Sequence, residues 1–530
     1  MAIQLTEEQI TYTTNTLSNN GSTDRYISIE DIPNAEEGNT VIEATNSPQE
    51  SSHEYELSQS ESLSFLYNLL YDENSALKKS EILSILNSLK LREDNLPFSI
   101  QNLNETDCQG VIWPSDLREK IAIDRARIGE MNWFYNISKS RESIRDHFNF
   151  QTYGTKTNFF QFHKFFCKLK LHITHFQLRN LVCCSENLSN GIFYPSSHLY
   201  DYNFPIDATS TDECQTFFRV NRLMPDDQLT KERNGMKLDC LMESRSLLYN
   251  SNSRISTMTC SNRILACGTF EGGYILQNIS NPTRPELIGE FNLTNDSEGI
   301  TNHIAIHDDR ELIISSNDKV LRIIDMTTGS TESYNLPFSI NCLSINPHNH
   351  NEFIITGDHV NSFILDKRMP SIDYSQECRG HKDYGFSCDW SPKNENILVT
   401  GNQDSSIKIW DRRNTKESVH CWNSALGTLS AQGAPVRNCK FSRNGEYLSW
   451  AESLDHVGII QMADLSNSDN YLSRVQSIDF LGKCAGLNFA PMEYGYGEDL
   501  IIGVNDCPLG GILNYKLESK CKSLDFDFYF

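Results

Sequence analysis

Residues 380–413 read GHKDYGFSCDWSPKNENILVTGNQDSSIKIWDRR, and their pattern decides the fold. Gly380 and His381 precede a first apolar run, Phe386 to Trp390. Ile397 to Thr400 make a second, Gly401 and Asp404 mark a turn, and Ile407 to Asp411 make a third. Short runs rich in β-branched and aromatic residues, divided by Gly, Pro, Asn and Asp, predict strands of one antiparallel sheet. The Asp that ends the third run recurs in Ile323-Ile324-Asp325, Ile364-Leu365-Asp366, Ile409-Trp410-Asp411 and Met462-Ala463-Asp464, at spacings of 41, 45 and 53 residues. Equivalent strands are read at Tyr274 to Leu276 and Gly511 to Tyr515. A degenerate unit is read at His175 to Leu181 with Gly191 to Tyr194 and His198 to Tyr202. A period in the forties with strand-turn-strand content predicts an all-β propeller, of seven blades on this reading. A circular array needs a further strand to complete its last blade, and no repeat unit marks which early strand does so.

Outward from that core, the predicted propeller spans 171–516, with an insertion at about 205–239. Residues 1–60 hold eleven Asp or Glu and one basic residue, Arg25, among Ser, Thr and Asn without periodicity. Such a stretch buries too little apolar surface to offset its ordering entropy, so a disordered acidic leader is predicted. Over 61–130 a short helical element is expected: Leu63, Leu66 and Leu70, then Ile82, Ile85, Leu86 and Leu89, fall at helical spacing on either side of a break near Asp72 to Ser75. It reads either as a pair packed on the main domain or as a docking hairpin. Residues 131–170 interleave Lys and Arg with aromatics such as Trp133, Phe150, Phe160 and Phe165. A single-stranded nucleic-acid groove uses that mixture. So does a segment whose rings pack on a β domain while its lysines stay in water, and this second reading is preferred.

The whole chain carries 46 Lys and Arg against 70 Asp and Glu, a net charge of −24 over 530 residues. That balance argues against a general nucleic-acid coat, which needs a basic face. Neither a basic-then-apolar leader nor an apolar run of membrane-spanning length is read, so a cytoplasmic or nuclear protein is expected. The 16 cysteines are scattered with no C-x-x-C pair, which predicts free thiols rather than a metal site or disulfide framework. G-x-S-x-G, G-x-x-x-x-G-K-[ST] and H-E-x-x-H are not found. His303 and His307 are four apart on a strand-like stretch that gives no helical face, and His348 and His350 flank a loop. No enzyme activity, cofactor or metal is therefore expected.

Residues 380–413 are identified as a WD40 repeat with its parts in order. The resemblance implies that His381, Thr400, Asp404 and Trp410 form a structural hydrogen-bonded chain, which suits the needs of a buried indole, hydroxyl and imidazole. Other units end Leu365-Asp366, Ala463-Asp464 and Asn514-Tyr515, so the tetrad is assigned to one blade. Within the WD40 proteins, HFQLRNL (175–181), DYGFSCDW (383–390), TGNQD (400–404), VRNCKFSRNGEYLSWAE (436–452), IDF (478–480) and the stretch Ile502 to Tyr515 resemble a fungal and plant WD-repeat family. That family includes the WD40 substrate receptor of the GID (CTLH-type) E3 ubiquitin ligase, which selects proteins by their N-terminal residue. The resemblance implies a degron-recognition subunit partnered by protein or peptide ligands and a multisubunit ligase scaffold. The alternative is a WD40 scaffold or adaptor in another complex, in transcription or trafficking.

In WD40 repeats the loops that enter each blade share one face with those between its second and third strands. An α-amino group there needs carboxylates and amide or carbonyl oxygens at about 2.7–3.2 Å. Asp358, Glu452 and Asp506 are expected to supply the charge, Asn402 and Gln403 the hydrogen bonds, and Tyr384 a wall, unless they are ordinary turn residues serving their own loops. Within the C-terminal tail, 517–530, residues Leu524 to Phe530 alternate aromatic and acidic side chains. Period two places Phe526 and Phe528 on one side with Phe530, and Leu524 and Tyr529 add apolar surface. Such a tail is expected either to anchor the protein to a scaffold or to dock into a groove of its own.

Overall fold

The computed structural model describes short stretches between residues 66 and 109 and most of 159–517, with breaks at 186–190, 198–217, 226–235, 248–252, 295–298, 370–375, 424–434, 468–473, 492–496 and a few shorter ones. The expected leader, the C-terminal tail and most of the basic aromatic segment lie outside the described residues. No described helix is long and apolar enough to cross a membrane.

Among the described residues seven four-stranded antiparallel units are present, numbered here as blades in chain order. Blade 5 has the strands expected for residues 380–413: Gly385–Trp390, Ile397–Asn402 and Ser406–Asp411, with His420–Asn423 outermost. Blades 2, 3 and 4 repeat that order from Ile255–Cys260, Thr301–His307 and Ile340–Ile345 as their innermost strands. Blades 6 and 7 are joined because one strand, Gln476–Pro491, is the outermost of blade 6 in its first half and the innermost of blade 7 in its second. Each pair of neighbouring blades encloses its own apolar layer. Trp390 and Trp410 lie between blades 4 and 5, and Trp422 and Trp450 between 5 and 6. Phe480 and Phe489 lie between 6 and 7, and Phe193 and Met258 between 1 and 2. The cluster around Tyr194 and Ile501 joins blade 7 to blade 1, so the layers complete a circle.

The circle is closed by Phe160–Cys167, which pairs along Gly511–Leu517 as the fourth strand of blade 7, with the two-residue strand Phe98–Ser99 added on its outer edge. That strand falls inside the segment read as a lead-in, and its rings are core: Phe160, Phe162, Phe165 and Phe166 are all buried. A register shift between Phe162 and Lys164 breaks the alternation, which is why the buried rings are spaced by two and then by three. Rings so enclosed cannot stack on bases. Gln476 clasps the seam: its amide oxygen accepts the Phe159 and Phe160 backbone N–H groups at 2.8 and 2.9 Å, and its amide nitrogen donates to Phe160 O at 2.6 Å. Gly511 is required where the strands meet, since a Cβ there would lie 2.2 Å from Phe166 O. Gln109 docks the earlier segment onto the same blade, donating to Leu481 O and Leu509 O at 2.8 Å each and accepting from Leu481 N at 2.7 Å.

Three sequence expectations are corrected. Met462, Ala463 and Asp464 open a short helix, Met462–Asn467; the third strand of blade 6 is Leu454–Gln461 and ends before them, which lengthens that spacing. The described residues of 175–181 form no strand; they are a connection, with bends at His175 and Gln177, ahead of the short inner strand Cys183–Cys184. The insertion at 205–239 contains a strand of blade 1, Phe218–Pro225, which pairs with Met236–Glu243. Its charges hid it: Arg219 and Arg222 are buried and pair across the strands with Glu243 at 2.8 Å and Asp239 at 3.0 Å. In the earlier segment, the helix Lys79–Leu91 buries Ile82, Ile85 and Leu86 on one face. Glu81 accepts the Lys78 N–H at its start, at 2.7 Å.

Candidate functional site

Blade 5 holds the four residues expected to form a chain. Trp410 Nε1 donates to Thr400 Oγ1 at 2.8 Å, and Thr400 Oγ1 lies 2.7 Å from His381 Nε2. An indole N–H can only donate, so Thr400 Oγ1 accepts from Trp410. Nδ1 faces a carboxylate and a hydroxyl that already donates to that carboxylate, a setting that favours a proton on Nδ1 and leaves Nε2 to accept from Thr400. Nδ1 lies 2.8 Å from Ser406 Oγ and 3.3 Å from Asp404 Oδ2. Ser406 was missed from the sequence. It is the nearer partner of the imidazole, and it donates onward to Asp404 Oδ1 at 2.6 Å. Burial pushes the Asp404 carboxyl up, but His381, Ser406 and the Lys382 N–H outweigh it and hold it below the usual range. With every member buried and used within the blade, this group ties the entering loop to the third strand.

The opposite condition holds at the mouth of the channel. In blades 2 to 6 the innermost strand skips one residue at its first turn of pairing: Ser256, Asn302, Asn341, Phe386 and Arg437. The first three of these reach the next blade. Ser256 Oγ donates to Thr301 O at 2.5 Å, Asn302 Nδ2 to Ile340 O at 2.9 Å, and Asn341 Nδ2 to Gly385 O at 3.0 Å. Phe386 has no donor, and the series stops there. Arg437 instead lays its guanidinium 4.5 Å from the centre of the Phe386 ring. Arg179, on the connection ahead of blade 1, is beside it: Asn438 Nδ2 donates to Arg179 O at 3.1 Å. Blades 6 and 1 are separated by blade 7, so they meet only around the central axis.

Of the six residues expected to receive a ligand, two remain available there. Asp358 and Tyr384 are half-exposed and share an electrostatic neighbourhood with buried Asp383. Burial pushes the Asp358 carboxyl up, against the Asn341 amide bonded to it at 3.0 Å and the Lys319 charge. Asn402, Gln403, Glu452 and Asp506 are buried instead. Asn402 donates to Asp383 O at 2.7 Å and accepts from Asp404 N at 2.9 Å, and Asp506 accepts Leu509 N at 3.1 Å. Short polar side chains just after a strand fold back onto their own loop, which consumes them. Glu452 lies against His456, 3.8 Å from its Nε2, while His456 Nδ1 lies 3.0 Å from Asp479. It is therefore part of the blade 6 interior and not of the ligand surface. The tail residues Leu524, Phe526, Phe528, Tyr529 and Phe530 lie outside the described residues.

On the other face, a cavity of about 750 Å³ opens between blades 5 and 6, lined by Lys393, Glu395, His420, Glu446 and Met462 among others. Among the described residues no group of three or more His, Cys, Asp or Glu is placed to hold a metal ion. His303 and His307 share one strand, as expected, and His307 stacks on His350 with ring centres 4.1 Å apart.

Residues 373–411 match the model of the WD domain, G-beta repeat, the span that contains the hydrogen-bonded chain of blade 5. The chain is a β-propeller that carries a WD domain, G-beta repeat in blade 5. The chain is 24% identical over 189 residues to the GATOR2 complex protein WDR24 of Gallus gallus, covering 33% of this chain and 25% of that protein. It is 24% identical over 150 residues to the WD repeat-containing protein AAC3 of Dictyostelium discoideum, covering 28% and 27%. Over 87 residues it is 30% identical to the histone acetyltransferase type B subunit 2 of Neurospora crassa, covering 15% of this chain and 20% of that one. These matches span about a quarter of the length of the curated relatives. Among solved structures, a chain of the "Crystal Structure of Mitotic Checkpoint Complex" aligns with a TM-score of 0.46 at 12% identity, over 66% of this chain and 92% of that one.

Proposed function

We propose that the propeller is a non-catalytic recognition subunit that holds a protein segment at its channel mouth, and that it serves as the substrate receptor of a GID-type E3 ubiquitin ligase reading N-terminal degrons in the cytoplasm or nucleus. The observation that carries the recognition role is the half-exposed pair Asp358 and Tyr384 beside buried Asp383. A carboxylate pushed up by burial gains most from an arriving cation, and an α-amino group brings one charge and three donors. The ligase assignment is supported by the sequence resemblance of 175–181, 383–390, 400–404 and 436–452 to the family that contains such a receptor. A second reading, a subunit of a different complex, is supported by the names of two relatives, a GATOR2 complex protein and a histone acetyltransferase subunit.

The test is affinity purification of the intact chain beside one lacking Leu524 to Phe530, with quantitative identification of what co-purifies. Ligase scaffold subunits with the intact chain alone support both the receptor role and a tail anchor. Their absence from both samples removes the ligase assignment. Recognition is tested separately with Asp358→Asn, which is expected to weaken binding of a captured N-terminal peptide about tenfold, the worth of one charge-assisted bond. An unchanged Kd removes Asp358 from the site.

A further inference from the structure

Arg437 is a buried cation with no partner of its own. It is 8% exposed, yet its Nε and Nη1 are buried without a hydrogen-bond acceptor. Its contact with the Phe386 ring is attractive but leaves the in-plane N–H donors unused, because a cation over a ring face touches it through the flat guanidinium surface. Arg179, 4% exposed, is a second buried guanidinium whose charge opposes that of Arg437. One of its nitrogens is engaged by two carbonyls, His175 O at 2.5 Å and Leu178 O at 3.0 Å. His175 stands beside both and is kept neutral: burial and then the two arginine charges push it down to about 3. The one carboxylate that offsets Arg437 is Asp383, itself buried and accepting the Tyr384 N–H at 2.7 Å. Arg437 thus stands beside one like charge and one carboxylate, with its own Nε and Nη1 unbonded.

Burying a guanidinium whose N–H donors have no acceptor is costly, and a fold keeps such a group where a ligand supplies the acceptors and the counter-charge. The skipped position makes the departure visible. Ser256, Asn302 and Asn341 spend their donors on the next blade, whereas Arg437 at the same position keeps its donors free at the mouth. A planar fork of N–H groups matches a carboxylate or phosphate in two-point geometry.

From this geometry we propose that Arg437, with the Arg179 charge beside it, forms an oxyanion subsite at the channel mouth, which takes a carboxylate or phosphate group carried on a protein segment. It is separate from the α-amino contact assigned to Asp358 and stands whether or not that contact is made. Together they would select a segment bearing a cation and an anion a short distance apart.

Thermal unfolding of the full chain is followed in sodium phosphate, in sodium acetate and in sodium chloride, at one pH and ionic strength. The wild type is expected to gain about 2–4 °C in at least one of the first two. Arg437→Met keeps the apolar stem on Phe386 and removes the charge. It is expected to unfold in chloride at or above the wild-type temperature and to lose the gain. A gain in phosphate alone assigns the subsite to a phosphorylated residue, and a gain in acetate alone to an Asp or Glu side chain. Should Arg437→Met not fold, Arg437→Lys keeps a charge without the fork and is expected to need about tenfold more anion for the same gain. An anion gain that is missing in the wild type, undiminished in Arg437→Met or unchanged in Arg437→Lys overturns the proposal.

Discussion

Blade 5 and the seam of blade 7 are both four-stranded, yet they are held by different means. In blade 5 the chain from Trp410 through Thr400 and His381 to Ser406 and Asp404 is contained within 30 consecutive residues. At the seam, Phe160–Cys167 crosses more than three hundred residues to find Gly511–Leu517, and Gln476 of blade 6 supplies the clasp. A blade closed on itself can form from local contacts. The seam forms only after the ring is nearly complete, because its loop-closure entropy is paid last.

That contrast predicts unequal responses to substitution. The largest is expected from Phe165→Ala, which empties a buried ring site shared by blades 6 and 7 and should cost about 3–5 kcal/mol by denaturant unfolding. Hydrogen exchange should show Gly511–Leu517 losing protection while Ile397–Asn402 keeps it. Equal loss in both strands would mean that the two regions open as one unit. Next is Gln476→Ala, which leaves two backbone N–H groups and one carbonyl of the seam without their partner, for about 2–3 kcal/mol. A change below about 0.5 kcal/mol would show that the backbone finds other partners and that the clasp is dispensable. The smallest is Trp410→Phe, which removes the indole N–H but leaves Thr400 bonded to His381, for about 1–2 kcal/mol. If it exceeds the loss from Phe165→Ala, the local blade and not the seam limits stability.

Much of this contrast was legible in the chain. The strands of blades 2 to 5 and the members of the blade 5 tetrad follow from apolar alternation and from the order of Gly, His, Asp and Trp in one repeat. Ser406 was not, because a serine in a turn looks like any other until its hydroxyl is seen against an imidazole. Blade 1 was obscured by Arg219 and Arg222, charged residues that a strand tolerates only when carboxylates lie opposite them. Asp464 misled because an acidic residue after an apolar run marks a strand end and a helix start equally well. At the mouth, residue type indicated that Asn402, Gln403, Glu452 and Asp506 were polar and near loops. It could not indicate that all four would be buried, Asn402 and Asp506 in bonds to their own loops and Glu452 against His456.

The sequence by itself determined the period, the all-β content and the local hydrogen-bonded chain, since each depends on residues a few tens of positions apart or fewer. Tertiary structure alone decided which strand closes the circle, which polar groups stay available and where Arg437 meets Arg179. Those outcomes depend on which surfaces come together once the ring is formed. Burial then sets the worth of every charge it encloses.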